Sequence, residues 1–156
     1  MTKTPNLENI LSSDNTNGSI IDLDNIIGEL CEYGDDLEKL TEPQLLFYLN
    51  QNLEREVNNG GFNQYFSNSS GDNAHEALLS LKAIGAEKTA DILQKAIDQF
   101  PNKSVPKDRD QRNSVIEQIE EVADIVWDDL NQRFFKYDDN LSALNLAYIK
   151  RNKDLF

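Results

Sequence analysis

Apolar residues recur at intervals of three and four through most of the chain, and no stretch carries the apolar–polar alternation of a half-buried strand. Ile20, Leu23, Ile27 and Leu30 open the pattern on one helical face, and Gly34 closes it. Thr41-Glu42-Pro43-Gln44 then reads as a helix start. Thr41 caps, Pro43 suits the first turn, and Gln44 returns to the cap as a capping-box partner. Leu45, Leu46, Tyr48, Leu49, Leu53 and Val57 carry this helix to Asn58-Asn59-Gly60-Gly61, which tolerate the left-handed conformation of a C-cap. Beyond it, Phe62, Tyr65 and Phe66 place three aromatics on one side of a short helical turn.

A polar loop at 67–71 follows, and Asp72 or Asn73 can cap the next helix, which carries Ala74, Ala77, Leu78, Leu81 and Ile84 up to Gly85. Ala90, Leu93, Ile97 and Phe100 mark another, ended by Pro101. After a charged connector at 101–112, a long helix is expected over about 113–134. A last one carries Leu141, Leu144, Tyr148 and Ile149 after the Asp138-Asp139-Asn140 cap region. The expected fold is all-α: a compact single domain of five to seven mostly antiparallel helices over 19–156. The polar segment 1–18 has little to bury and is expected to be a disordered lead-in. A length of 156 residues suits one domain with its own core.

The charge narrows the function. The net charge of −13 repels nucleic-acid phosphates and anionic membranes and attracts basic proteins. It is uneven: residues 1–60 carry 12 acidic and 3 basic side chains, 61–104 carry 5 and 4, 105–139 carry 10 and 5, and 140–156 carry 1 and 3. No apolar run is long enough to span a bilayer, and the N-terminal segment lacks the apolar stretch of a secretory signal. Cys31 is the only cysteine and reads as a small core residue, which fits a reducing, cytoplasmic setting.

Catalytic patterns are missing. His75 is the one histidine, with no second histidine or cysteine beside it to build a zinc site, and reads as a surface or helix-end residue. No nucleophile elbow, phosphate loop or dinucleotide fingerprint occurs, and Gly60-Gly61 follows a helix rather than a strand. The expectation is no catalytic residue, no metal and no cofactor.

On a helical wheel of residues 115–130, Val115, Ile119, Val122, Val126 and Leu130 fall on one side. Glu117, Glu120, Glu121, Asp124 and Asp128 fall on the other. The acidic row runs about 16 Å from end to end. Glu117/Glu121, Glu120/Asp124 and Asp124/Asp128 are like-charge pairs at i, i+4, each destabilising by a few tenths of a kcal/mol. A helix selected for stability alone mixes its signs more often. A rigid row of carboxylates about 6 Å apart suits the phosphate-binding groove of a DNA-binding protein, whereas the plainer reading is a solvated helix face.

The segment Glu56-Val57-Asn58-Asn59-Gly60-Gly61-Phe62-Asn63-Gln64-Tyr65-Phe66-Ser67-Asn68-Ser69-Ser70-Gly71 resembles the signature of a bacterial family of uncharacterised domains that includes an acidic DNA-mimic protein. Ala74, Glu76, Ala77, Leu81 and Ile84-Gly85-Ala86 are similar to its next helix. Trp127-Asp128-Asp129-Leu130, Phe134, Phe135, Asp139, Leu141 and Tyr148-Ile149 are similar to its late segment. The likeness covers roughly residues 20–150. It implies an all-helical fold, and less directly a function in mimicry. Within the signature, Gly60-Gly61 make the turn, the aromatics fill the core, and Asn59, Gln64, Asn68 and Ser69 are expected to bond to nearby backbone. A polar ligand site centred on Gln64 and Asn68 stays open.

The expected function is that of a non-enzymatic, DNA-mimic-like protein. Asp22, Glu29, Glu117, Glu120, Glu121, Asp124 and Asp128 would occupy the DNA-binding surface of a basic regulator or nucleoid protein, with no direct nucleic-acid or membrane contact and with homodimer formation left open. The alternatives are an immunity-type inhibitor of a basic toxin and a small ligand-binding module.

Overall fold

The computed structural model describes residues 6–156; residues 1–5, the start of the expected lead-in, lie outside the described part. Seven α-helices and no strand occur among the described residues: α1 (Leu7–Leu11), α2 (Thr16–Leu30), α3 (Glu42–Ser67), α4 (Ala74–Ala83), α5 (Glu87–Ile97), α6 (Arg109–Phe134) and α7 (Leu141–Arg151). By packing, the chain gathers into two compact units, Met1–Tyr48 with Asn140–Phe156, and Leu49–Asp139. Helix α3 passes from the first into the second.

In the first unit α2 packs on α1 and α7. The expected disorder up to residue 18 does not hold for the described part. Asn6 caps α1 through its side chain, Ile10 is buried, and the Ser19 hydroxyl donates to the Ile10 carbonyl at 2.7 Å. One buried isoleucine and one buried hydroxyl are enough to order a turn whose composition looks like linker. Asn15 caps α2, which ends at Leu30 rather than at Gly34; the chain then turns with Glu32, Tyr33 and Gly34 all at positive φ. Cys31 is buried, as expected. The capping box is present: Thr41 N–H donates to Gln44 Oε1 at 2.9 Å, and Gln44 N–H reaches Thr41 Oγ1 at 3.4 Å.

The second unit is built on aromatics. Phe66 lies 4.9 Å from Phe100 and 5.3 Å from Trp127, centroid to centroid, and Phe62 meets Phe134 edge-on at 6.2 Å. The Trp127 indole N–H donates to the Ala96 carbonyl at 3.0 Å, fixing α6 on α5. The expected stop at Gly60-Gly61 is a kink. Gly61 has φ +75°, and a Cβ there would meet the Asn131 side chain at 2.3 Å, after which the helix resumes and buries Phe62, Tyr65 and Phe66. Neither Asp72 nor Asn73 caps α4 with its side chain. At the start of α5 the cap residue is Ala86, and the missing acceptor comes from Asp139, whose Oδ2 accepts from Thr89 N–H at 2.7 Å and Thr89 Oγ1 at 3.0 Å.

Arg112 on α6 is fully buried. Its Nε donates to the Phe66 carbonyl, Nη2 to Asn68 O at 2.8 Å, and Nη1 to Pro106 O at 2.9 Å and Lys107 O at 3.0 Å. Asp72 Oδ1 sits 2.8 Å from Nη2 as the counter-charge. A guanidinium cannot shed its proton, so a buried one needs acceptors for its donors. Here four carbonyls take four of its five N–H donors, and the Asp72 carboxylate stands beside Nη2 as an ion-pair partner without a hydrogen bond. Gly71 makes room: a Cβ on it would stand 2.7 Å from Arg112 Nε. Replacing Arg112 by Met should lower the unfolding free energy by about 3 kcal/mol or more, since it strands buried carbonyls and the Asp72 carboxylate. Arg112→Lys should recover little, because an ammonium has three donors and no fork. Chemical denaturation of both variants checks this, and full stability in the lysine variant would show that the fork is not needed.

Candidate functional site

Helix α6 starts at Arg109, four residues earlier than expected, because Asp108 caps it by accepting from Gln111 N–H at 2.9 Å. Its inward side is also turned from the expected one. The buried residues are Arg112, Ile116, Ala123, Trp127, Leu130 and Phe134. Of the predicted apolar stripe only Leu130 is fully buried; Val115, Ile119 and Val126 are half-buried, and Val122 is 69% exposed. The clean separation of apolar and acidic sides therefore fails. The larger side chains, Trp127 and Phe134, take the interior against Phe62, Phe66 and Phe100. Rotating α6 to bury the valines would expose them.

The acidic row survives this rotation. Glu117, Glu120, Glu121 and Asp128 are exposed, and Asp124 is half-buried, its Oδ1 accepting from the Asn63 amide at 2.9 Å. Among the described residues none of the five pairs with a lysine or arginine. The nearest basic positions along the helix are the buried Arg112 and Arg133, which pairs with Asp129 at 3.0 Å. Asp22 and Glu29 are exposed on α2, in the first unit.

The candidate polar residues assemble around a group outside the predicted set. Glu56 Oε2 accepts from the Gln64 amide and from the Asn68 amide, both at 2.9 Å, and Gln64 Oε1 accepts from the Asn59 amide at 3.2 Å. The side chains bond to one another rather than to the nearby backbone as expected. Ser69 is exposed. Asn68 also receives Arg109, Nη2 to Oδ1 at 3.3 Å, and Asn131 Oδ1 accepts from Phe62 N–H at 2.9 Å across the kink. The Asn59, Gln64 and Asn68 amides each donate to a neighbouring side chain beside the glycine turn. Glu56, Asn63 and Asn131 are not singled out by the sequence because their partners lie across the kink or on another helix, beyond the reach of helical spacing. His75 accepts from Val105 N–H through Nε2 at 3.1 Å, a structural bond at the start of α4. Among the described residues no three His, Cys, Asp or Glu side chains are grouped to hold a metal ion, and no helix is long and apolar enough to cross a membrane.

An all-helical fold with a glycine-kinked helix, a buried arginine and an uncompensated acidic helix face defines the class: a helical acidic protein with its charge row on one long helix. Within that class, the chain belongs to the DMP19-like protein family, which matches it over residues 38–152. No curated protein and no solved structure matches the chain.

Two outcomes follow for the groups around the kink. Glu56→Ala leaves the Gln64 and Asn68 amides without their shared acceptor and should lower stability by about 1–2 kcal/mol in denaturant titrations. A neutral result would mean that water replaces the carboxylate freely. Tyr137 donates to Glu54 Oε1 at 2.9 Å and accepts from the Asn58 amide at 2.6 Å. Its burial above all pushes its pKa up to about 12; the Asn58 bond opposes this and the Glu54 carboxylate adds to it. A value raised in the folded state means a contribution complete below the ordinary value of 10.0 and lost as pH climbs towards about 12. Melting temperatures across that window should fall less steeply for Tyr137→Phe than for the wild type.

Proposed function

We propose that this chain is a non-enzymatic binding protein of the DNA-mimic kind, and that the α6 row occupies the phosphate-binding surface of a basic, DNA-binding protein. The observation that carries the reading is the run from Glu117 to Asp128: five carboxylates on one helix, four of them exposed, with no basic side chain interleaved. Over about 16 Å of axis this is one negative charge per about 4 Å, against about 3.4 Å per strand of duplex DNA. Internal like-charge pairs make the row a liability for α6 by itself, which fits a face kept for a partner. Membership of a family named for a DNA mimic protein supports the same reading. Asp22 and Glu29 would add to the long-range field that draws in a cationic partner.

The test starts with immobilised wild-type chain beside Glu121→Lys/Asp128→Lys, two exposed positions with no structural bond to lose. The captured partner, once identified and purified, should bind the wild type with an affinity that falls steeply as salt rises, and duplex DNA should displace it. The double reversal should weaken binding roughly a hundredfold at about 0.1 M salt and flatten the salt dependence. A partner held equally by both proteins, or one that DNA does not displace, would overturn the proposal.

A further inference from the structure

The outward side of α6 is not carboxylate alone. Val122 is 69% and Ile125 73% exposed, one turn apart on the helix. Ile125 follows Glu121 by four residues and precedes Asp128 and Asp129 by three and four, so carboxylates flank it at both ends. Val122 borders a shallow hollow of about 330 Å³ lined also by Gln99, Gln118, Ile119, Glu121 and Ala123. A single exposed aliphatic side chain is ordinary on any protein. Two adjacent ones set among acids, beside a hollow, make a surface that is amphipathic as well as negative. Phosphates carry no counterpart to them, so electrostatic imitation of DNA gives them nothing to do.

Building on the mimic reading above, we propose that this face takes a cationic amphipathic helix of its protein partner. Arginines or lysines would meet Glu117, Glu121 and Asp128, and aliphatic side chains between those cations would cover Val122 and Ile125 and enter the hollow. Charge complementarity selects the cations, and the exposed aliphatic pair selects a peptide over a polyamine or any other purely ionic ligand. The arrangement also gives the protein an advantage over the DNA it displaces. Ionic contacts weaken for both competitors as salt rises, whereas the buried aliphatic contact does not. The margin over DNA therefore widens with salt.

The probes are two helix-stapled peptides of identical positive charge, one with leucine at two positions spaced i, i+4 between its cations and one with serine there. Both are titrated against the full chain by fluorescence anisotropy at low and moderate salt. The leucine peptide should bind the wild type roughly tenfold more tightly, as burial of two aliphatic side chains implies, with the same ratio at both salts. In Val122→Ser/Ile125→Ser the ratio should collapse to within about twofold, while far-UV circular dichroism and the melting temperature stay at wild-type values. Equal affinity of the two peptides for the wild type, or a ratio that survives in the serine variant, overturns the inference. Glu121→Lys/Asp128→Lys separates the two levels of argument. If it weakens both peptides while leucine confers no gain, only the amphipathic partner fails. If it weakens neither, the acidic row itself is not a binding surface and both readings fall.

Discussion

The buried guanidinium of Arg112 decides more of this structure than any other group. It is a permanent charge without access to water, tolerable because four carbonyls accept from it and a carboxylate balances its charge. These groups are drawn from three places: the end of α3 and the residue after it (Phe66 and Asn68), the segment before α6 (Pro106 and Lys107), and Asp72. Helix ends and turns are where carbonyls lack partners, so one side chain satisfies orphans from segments about forty residues apart in the chain. Because Arg112 is itself on α6, making those bonds also fixes which side of α6 turns inward. Ile116, Ala123, Trp127, Leu130 and Phe134 follow on the same side, and the acidic row is left on the outside as a consequence.

The acidic residues divide into two groups with different physical roles. Asp108 and Asp139 satisfy N–H groups at the starts of α6 and α5, Glu56 gathers two amides beneath the glycine kink, and Asp72 balances Arg112. These carboxylates are engaged, and each has a stability role. Glu117, Glu120, Glu121 and Asp128 stand exposed and, among the described residues, pair with no lysine or arginine, and Asp124 alone bridges the two groups through Asn63. A net charge of −13 therefore overstates the negative surface in some places and understates its concentration on α6.

The exposed row also acts against its own helix. Three like-charge pairs at i, i+4 cost on the order of 1 kcal/mol together, offset by the packing of Trp127 and Phe134 on the opposite side. Salt then has two opposing effects: it relieves repulsion within α6 and weakens attraction to a cationic partner. The face is most effective in binding where the helix beneath it is least relaxed, and the aromatic core makes that tolerable.

The sequence by itself determined the helical class, the starts of α3 and α7, the end of α6, the Thr41/Gln44 capping box, the break at Gly60-Gly61 and the position of the acidic row along α6. All of these are set by neighbours within about four residues, through the 3.6-residue period, cap chemistry and glycine's freedom at positive φ. Only the tertiary structure decided the rotation of α6, the order in Leu7–Leu11 and the fate of each carboxylate. The apolar stripe expected from the sequence runs through Val122, whereas the buried side of α6 runs through Trp127. The choice depended on the acceptors that gather around Arg112 and on the volume and shape presented by Phe62, Phe66 and Phe100, which arrive from distant parts of the chain. The exposure of Val122 and Ile125 among the acids is the result of that choice, and no local pattern contains it.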